Sequence, residues 1–116
     1  MPEWHVYLVR CTDGSLYTGI ATNVERRLAE HIEGKKKGAR YLRGRGPLEL
    51  VFTKPVGTRC VALRIESLIK RLPKVEKERL VDKSQRIEPL LALARRRLRR
   101  ARESSPRIDK ARGAER

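Results

Sequence analysis

Hydrophobic residues crowd into two short stretches near the N-terminus and then spread out to helical spacing, and these changes of period divide the chain into elements. Trp4-His5-Val6-Tyr7-Leu8-Val9-Arg10-Cys11 and Ser15-Leu16-Tyr17-Thr18-Gly19-Ile20 are rich in β-formers, with Thr12-Asp13-Gly14 between them as a hairpin signal. Two loop lengths fit that signal. A two-residue Asp13-Gly14 turn pairs Tyr7 with Ile20 and sends Tyr7 and Tyr17 to opposite faces. A three-residue loop ending on a left-handed Gly14 pairs Tyr17 with Val9, so both tyrosines share a face. We expect the second.

From Asn23 to about Glu33 the apolar period becomes helical, with Thr22 or Asn23 as cap and Glu25 in the first turn, where the helix dipole favours negative charge. Val24, Leu28 and Ile32, with Ala29 beside them, predict the buried stripe; Arg27 and His31, four apart, share a different face. A basic, Gly-rich loop follows to Pro47. Leu48-Glu49-Leu50-Val51-Phe52-Thr53 predicts a third strand ended by Lys54-Pro55. Gly57-Thr58 opens a helix through about Leu72, with Val61, Ile65, Leu68 and Leu72 as its stripe and Ala62, Glu66, Ile69 and Lys70 on one flank. Pro73 can start another helix, through Val75, Leu80 and Val81. Pro89 to about Arg102 sets leucines against a run of arginines, and the remainder lacks apolar content. The expected organisation is α+β: residues 1–84 as one small domain with a three-stranded antiparallel sheet flanked by helices, 85–103 as an added basic helix, and 104–116 as a disordered tail.

Composition narrows the partner before it says anything about a reaction. The 116 residues carry a formal net charge of +15, and residues 85–116 alone hold 11 Lys/Arg against 4 Asp/Glu. Such a charge repels itself in the folded state, and a polyanion relieves it by counterion release. Cys11 and Cys60 lie far apart with no CxxC spacing, so a reduced, cytoplasmic protein is expected. Together with His5 and His31 they fit no zinc motif. No signal peptide and no stretch able to span a bilayer is visible, so a soluble protein is expected.

The order strand, hairpin, strand, helix, strand, helix then meets particular residues. Val6-Tyr7-Leu8, ten residues before Tyr17-Thr18-Gly19, is followed by Arg27 and later by Glu66. With Tyr-Leu-Val-Arg-Cys, Asp-Gly-Ser-Leu-Tyr-Thr-Gly-Ile, Glu-Arg-Arg-Leu-Ala-Glu-His, Gly-Ala-Arg-Tyr before Arg-Gly-Pro-Leu-Glu-Leu-Val, and Ala-Leu-Arg-Ile-Glu-Ser-Leu-Ile-Lys-Arg-Leu, the chain resembles the GIY-YIG nuclease superfamily from about residue 4 to residue 83. It resembles most closely the small stand-alone UPF0213 (YhbQ-like) branch. The resemblance implies that Tyr7 and Tyr17 are the two motif tyrosines, Arg27 the superfamily arginine, and Glu66 the carboxylate that holds a metal. His31 falls where the branch carries a histidine near the site.

These residue types suit phosphodiester hydrolysis, which needs an activated water, neutralised phosphoryl charge and a stabilised leaving oxygen. A hard ion such as Mg²⁺ (or Mn²⁺) binds through as few as one or two carboxylates and keeps several waters, so Glu66 can suffice. Tyr7 can take a proton from water only if nearby positive charge lowers its pKa from about 10. Arg27 would contact the phosphoryl oxygens through its planar fork. Lys35, Lys36, Lys37, Arg40, Tyr41, Arg43 and Lys70 are the candidates for nucleic-acid contact, with Tyr41 as a stacking platform.

Each residue also has a plain structural competitor. The tyrosines suit half-buried β packing, Arg27 a solvated helix face, and Glu66 an i,i+4 pair with Lys70. Where the family motifs carry glycine and isoleucine this chain has His5 and Thr18. It has Ile20 where several members place a lysine, and its only asparagine is Asn23. The expected function is a metal-dependent endonuclease acting on nucleic acid, DNA more than RNA. The alternative is a binding module that keeps the fold without catalysis. The Leu/Arg helix also admits a membrane surface or an acidic partner.

Overall fold

The computed structural model describes residues 2–33 and 47–104, with side chains of the last helix through Arg97. Strands β1 (Trp4–Arg10) and β2 (Leu16–Ala21) lead into helix α1 (Val24–Glu33). Strand β3 (Glu49–Gly57) is followed by α2 (Arg59–Lys70), α3 (Lys74–Asp82), a 3₁₀ turn (Ser84–Ile87) and α4 (Glu88–Ser104). The sheet is antiparallel in the order β2-β1-β3, so the most apolar strand is central. This is the α+β architecture expected, a three-stranded antiparallel sheet flanked by helices.

The hairpin takes the three-residue loop. Cys11 N–H donates to Ser15 O at 2.9 Å and Gly14 N–H to Cys11 O at 2.9 Å, leaving Thr12-Asp13-Gly14 as the turn. Gly14 has φ +88°, a conformation that only glycine adopts without strain. Asp13 Oδ1 accepts from Ser15 N at 3.0 Å and Ser15 Oγ at 2.7 Å and pins the turn from inside. The register that follows pairs Val9 with Tyr17 and Tyr7 with Gly19, which puts both tyrosines on one face.

Alternation along β1 sorts the two faces. Val6 and Leu8 join Phe52, Val56, Ala62, Ile65, Ile69, Leu80, Ile87 and Leu91 in the larger core beneath α2, α3 and α4. Tyr7 and Val9 face the other way, with Ala21, Tyr17, Val24, Leu28, Leu48 and Leu50, beneath α1.

Three expectations change here. Ile32 is 65% exposed and Ala29 is exposed, while His31 is only 2% exposed. The inward face of α1 is therefore 24/27/28/31, the i, i+3, i+4, i+7 set, and the face bearing Arg27 and His31 is the one that meets the sheet. In α2 the buried line is Ala62, Ile65 and Ile69, with Val61, Leu68 and Leu72 at its margin. The third strand runs through Lys54-Pro55 to Gly57 instead of ending there. β3 is an edge strand with register shifts against β1 beside His5–Pro55 and again at Leu8/Val9, and edges and bulges tolerate a proline that cannot donate.

Candidate active site

α1 begins where Asn23 Oδ1 accepts from Arg26 N at 3.0 Å, so Asn23 is the cap. α2 begins where Thr58 Oγ1 accepts from Val61 N at 3.3 Å. The two helices lie on opposite faces of the sheet, and both touch β2. Because β2 is an edge strand, side chains from both layers reach round it and meet. The result is an open groove of about 520 Å³ lined by Trp4, Ile20–Asn23, Arg26, Arg27, Glu30, Arg59, Leu63 and Glu66.

Of the expected site residues, Arg27 and Glu66 line this groove. Tyr7, Tyr17 and His31 form a layer behind it. Tyr7 is 1% exposed, and its hydroxyl lies 3.2 Å from His31 Nε2. The Tyr17 ring meets the His31 ring edge-on, with centroids 5.6 Å apart and planes at 79°. Arg27 links the two layers. It pairs with Glu30 at 3.3 Å on the groove side, and its positive charge also acts on the Tyr7 hydroxyl and the His31 ring behind it. Gly19 makes the tyrosine's position possible, because a Cβ there would overlap the Tyr7 hydroxyl and ring.

The electrostatics do not make Tyr7 acidic. Burial first, then the neighbouring Tyr17, push its pKa up to about 12; Arg27 opposes this and Glu66 adds to it. The lowering of this pKa that proton removal by Tyr7 would require is not supplied by Arg27, since desolvation outweighs one nearby cation. Tyr7 is a neutral phenol at pH 7. Burial also lowers the His31 pKa, assisted by the charge of Arg27 and opposed by Glu30, so the imidazole is neutral as well. Its Nδ1 is buried without a hydrogen-bond partner among the described residues. A neutral imidazole in the Nδ1–H tautomer accepts the Tyr7 proton at Nε2.

Glu66 is 19% exposed and pairs with Lys70 at 3.4 Å, so the plain i,i+4 arrangement is present in the same residue that lines the groove. Glu30 is the second carboxylate there. Among the described residues no three His, Cys, Asp or Glu side chains gather into a metal cage. The donor set is one or two hard oxygens, which fits an ion that keeps most of its waters and takes phosphate oxygens as further ligands.

Lys35, Lys36, Lys37, Arg40, Tyr41 and Arg43 lie outside the described residues. Trp4, Arg26, Glu30, Arg59 and Leu63 line the groove without having been singled out from sequence. Glu30 was legible in principle, because it stands three residues after Arg27 on one helix. Trp4 and Arg59 were not, being 55 positions apart and joined only by the fold.

A family model described as the GIY-YIG catalytic domain matches residues 3–79. A UPF0213 protein of Citrobacter koseri is 52% identical over 92 residues, covering 79% of this chain and 90% of that protein. The UPF0213 protein YhbQ of Escherichia coli K12 is 51% identical over 92 residues with the same coverage. The solution NMR structure of a UPF0213 protein from Bacillus halodurans is similar at 45% identity, covering 69% of this chain and 83% of that one, with a TM-score of 0.45. No helix among the described residues is long and apolar enough to cross a membrane. With a family match over about two thirds of its length and relatives half identical across nearly their whole length, the chain belongs to the GIY-YIG nuclease family, in its UPF0213 branch.

Proposed function

We propose that this protein is a metal-dependent endonuclease that hydrolyses phosphodiester bonds in nucleic acid, with DNA, including branched or damaged DNA, as substrate. The observation that carries the reading is the double position of Arg27, which lines the groove with Glu66 and stands near enough to the hydrogen-bonded Tyr7–His31 pair behind it for its charge to act on both. A phosphate entering the groove would meet the planar fork of Arg27, which suits two phosphoryl oxygens at once. Glu66 would hold Mg²⁺ or Mn²⁺, with Glu30 beside it. Bound there, the ion would supply Lewis-acid neutralisation of the phosphoryl charge.

Proton movement falls to Tyr7 and His31. A phenol near pKa 12 is a poor base by itself, so Tyr7 works as a relay. Its oxygen takes a proton from the attacking water as its own proton passes to His31 Nε2. The water oxygen bonds to phosphorus as the bond to the leaving oxygen breaks, and the leaving alkoxide takes its proton from solvent water in the open groove. Tyr17, edge-on to the imidazole, holds that ring in place. The basic segment 35–43 follows directly on the helix that bears Arg27 and His31 and would track the phosphate backbone, with Lys70 beside the groove.

The test is cleavage of single-stranded, duplex and branched DNA with Mg²⁺ or Mn²⁺. Glu66→Ala and Tyr7→Phe should each reduce cleavage by about 10²-fold or more. Retained cleavage in both variants would assign the activity to another site. One observation favours a second reading, a module that binds nucleic acid without cutting it: the Tyr7 hydroxyl is screened from the groove. Tight binding with every substrate left uncut would establish that reading instead.

A further inference from the structure

Phosphate, metal and water account for the charged residues of the groove but not for its apolar wall. Trp4 and Leu63 stand in it, and Leu63 is 41% exposed. Trp4 packs one side against the larger core and is only partly buried. Arg59, which is exposed, carries its guanidinium carbon 5.7 Å from the centre of the Trp4 ring. The same two residues also line a second groove, with Pro2, Glu3, Gly57 and Thr58. Trp4 and Arg59 are thus the shared wall between the groove of Arg27 and Glu66 and a neighbouring cleft at the start of α2.

A sugar-phosphate backbone has no use for an indole. A nucleobase does, because aromatic rings and guanidinium planes are the surfaces on which unstacked bases settle. A base inside a duplex is already stacked and paired and cannot offer its face. We propose that Trp4 and Arg59 form a subsite for the nucleotide flanking the scissile phosphate, with Arg59 taking a backbone phosphate and Trp4 stacking on an unpaired base. The substrate is then DNA that is single-stranded beside the cut. In the free protein Arg59 lies over the ring. An exposed cation–π contact is weaker than a base stack, so an incoming phosphate can draw the arginine aside and bare the indole. The inference rests on the nucleic-acid reading above and adds the form of the strand.

Trp4 is the only tryptophan, so its emission reports this subsite alone. The full chain, without divalent ion, is titrated with a thymidine oligonucleotide, an abasic oligonucleotide of equal length and a fully paired duplex. The expected result is saturable quenching by the thymidine strand, with the abasic strand and the duplex binding without it. Equal quenching by the abasic strand, or an unchanged emission with the thymidine strand, overturns the subsite. Equal quenching by the duplex overturns the requirement for an unpaired base. Trp4→Leu, which keeps apolar packing, should weaken thymidine-strand binding roughly tenfold and leave duplex binding unchanged. Arg59→Gln should weaken both and lower the salt slope by about one. If Trp4→Leu does not fold, the wild-type titration still decides. Cleavage with no base-dependent quenching leaves the nuclease reading standing without this subsite; base-dependent quenching with no cleavage does the reverse.

Discussion

At the scale of single residues, the site depends on how closely β2 allows Tyr7 to approach. Gly19 faces the tyrosine across the strand pair, and a Cβ there would overlap its hydroxyl. Gly19→Ala should therefore cost about 1–3 kcal/mol in urea unfolding, the usual range for overpacking, and should displace Tyr7 from His31. His31 adds a pH dependence of known sign. Its folded pKa lies below the usual 6.5 because the ring is buried and Arg27 is near. The unfolded chain binds that proton more readily, so stability is full above about 6.5 and falls as pH drops below it. Urea midpoints at pH 7.5 and 5.5 should differ in that direction, and His31→Gln should shrink the difference.

At the scale of elements, one clamp fastens the end of the central strand to a helix distant in sequence. Arg10 makes a two-point contact with Glu78 of α3 at 2.7 and 2.9 Å, and Lys74 reaches the same carboxylate at 2.9 Å. Hydrogen bonds first from Arg10 and then from Lys74 hold the Glu78 pKa near 2 against its usual 4.5. A depressed folded pKa means the clamp is at full strength above 4.5 and is lost as pH falls from 4.5 toward 2. The pair is about a third exposed, so solvent screening keeps its worth to ~1 kcal/mol. A double-mutant cycle of Arg10→Met and Glu78→Gln at pH 7 and pH 3 should show that coupling in full at the higher pH and reduced at the lower.

Across the whole molecule, the last helix is tied into the core. Ile87, in the turn that precedes it, is fully buried, and Leu91 is 2% exposed. Both pack in the cluster that holds Val6, Leu8 and Ile65. Ile87→Ala should cost about 2–5 kcal/mol, measured by denaturant unfolding, because the residue lies where helices and sheet meet. The arginines at 95–97 are exposed on the helix that Leu91 and Ala94 anchor. Helix and sheet therefore carry their charge as one body, and a net +15 makes any nucleic-acid binding strongly salt-dependent.

Much of this was legible along the chain because it is local. Gly14 at the end of Thr12-Asp13-Gly14 decided the hairpin, and through it the common face of Tyr7 and Tyr17, since strand side chains alternate with a period of two. The motif order also located Arg27, His31 and Glu66. The sequence could not say which face of α1 turns inward, because Val24 and Leu28 belong to both candidate stripes; contact with the sheet chose His31 over Ile32. Nor could it place Pro55, which β3 accepts because it is an edge strand with a shifted register. The groove was the least legible feature. Trp4, Arg27, Arg59 and Glu66 come from three elements, the central strand and the helices on either face of the sheet, and they meet only because β2 ends the sheet and leaves both helices room to reach round it. Local spacing determined the elements and the motif residues, whereas packing around an open sheet edge decided which of them line the groove and which lie buried behind it.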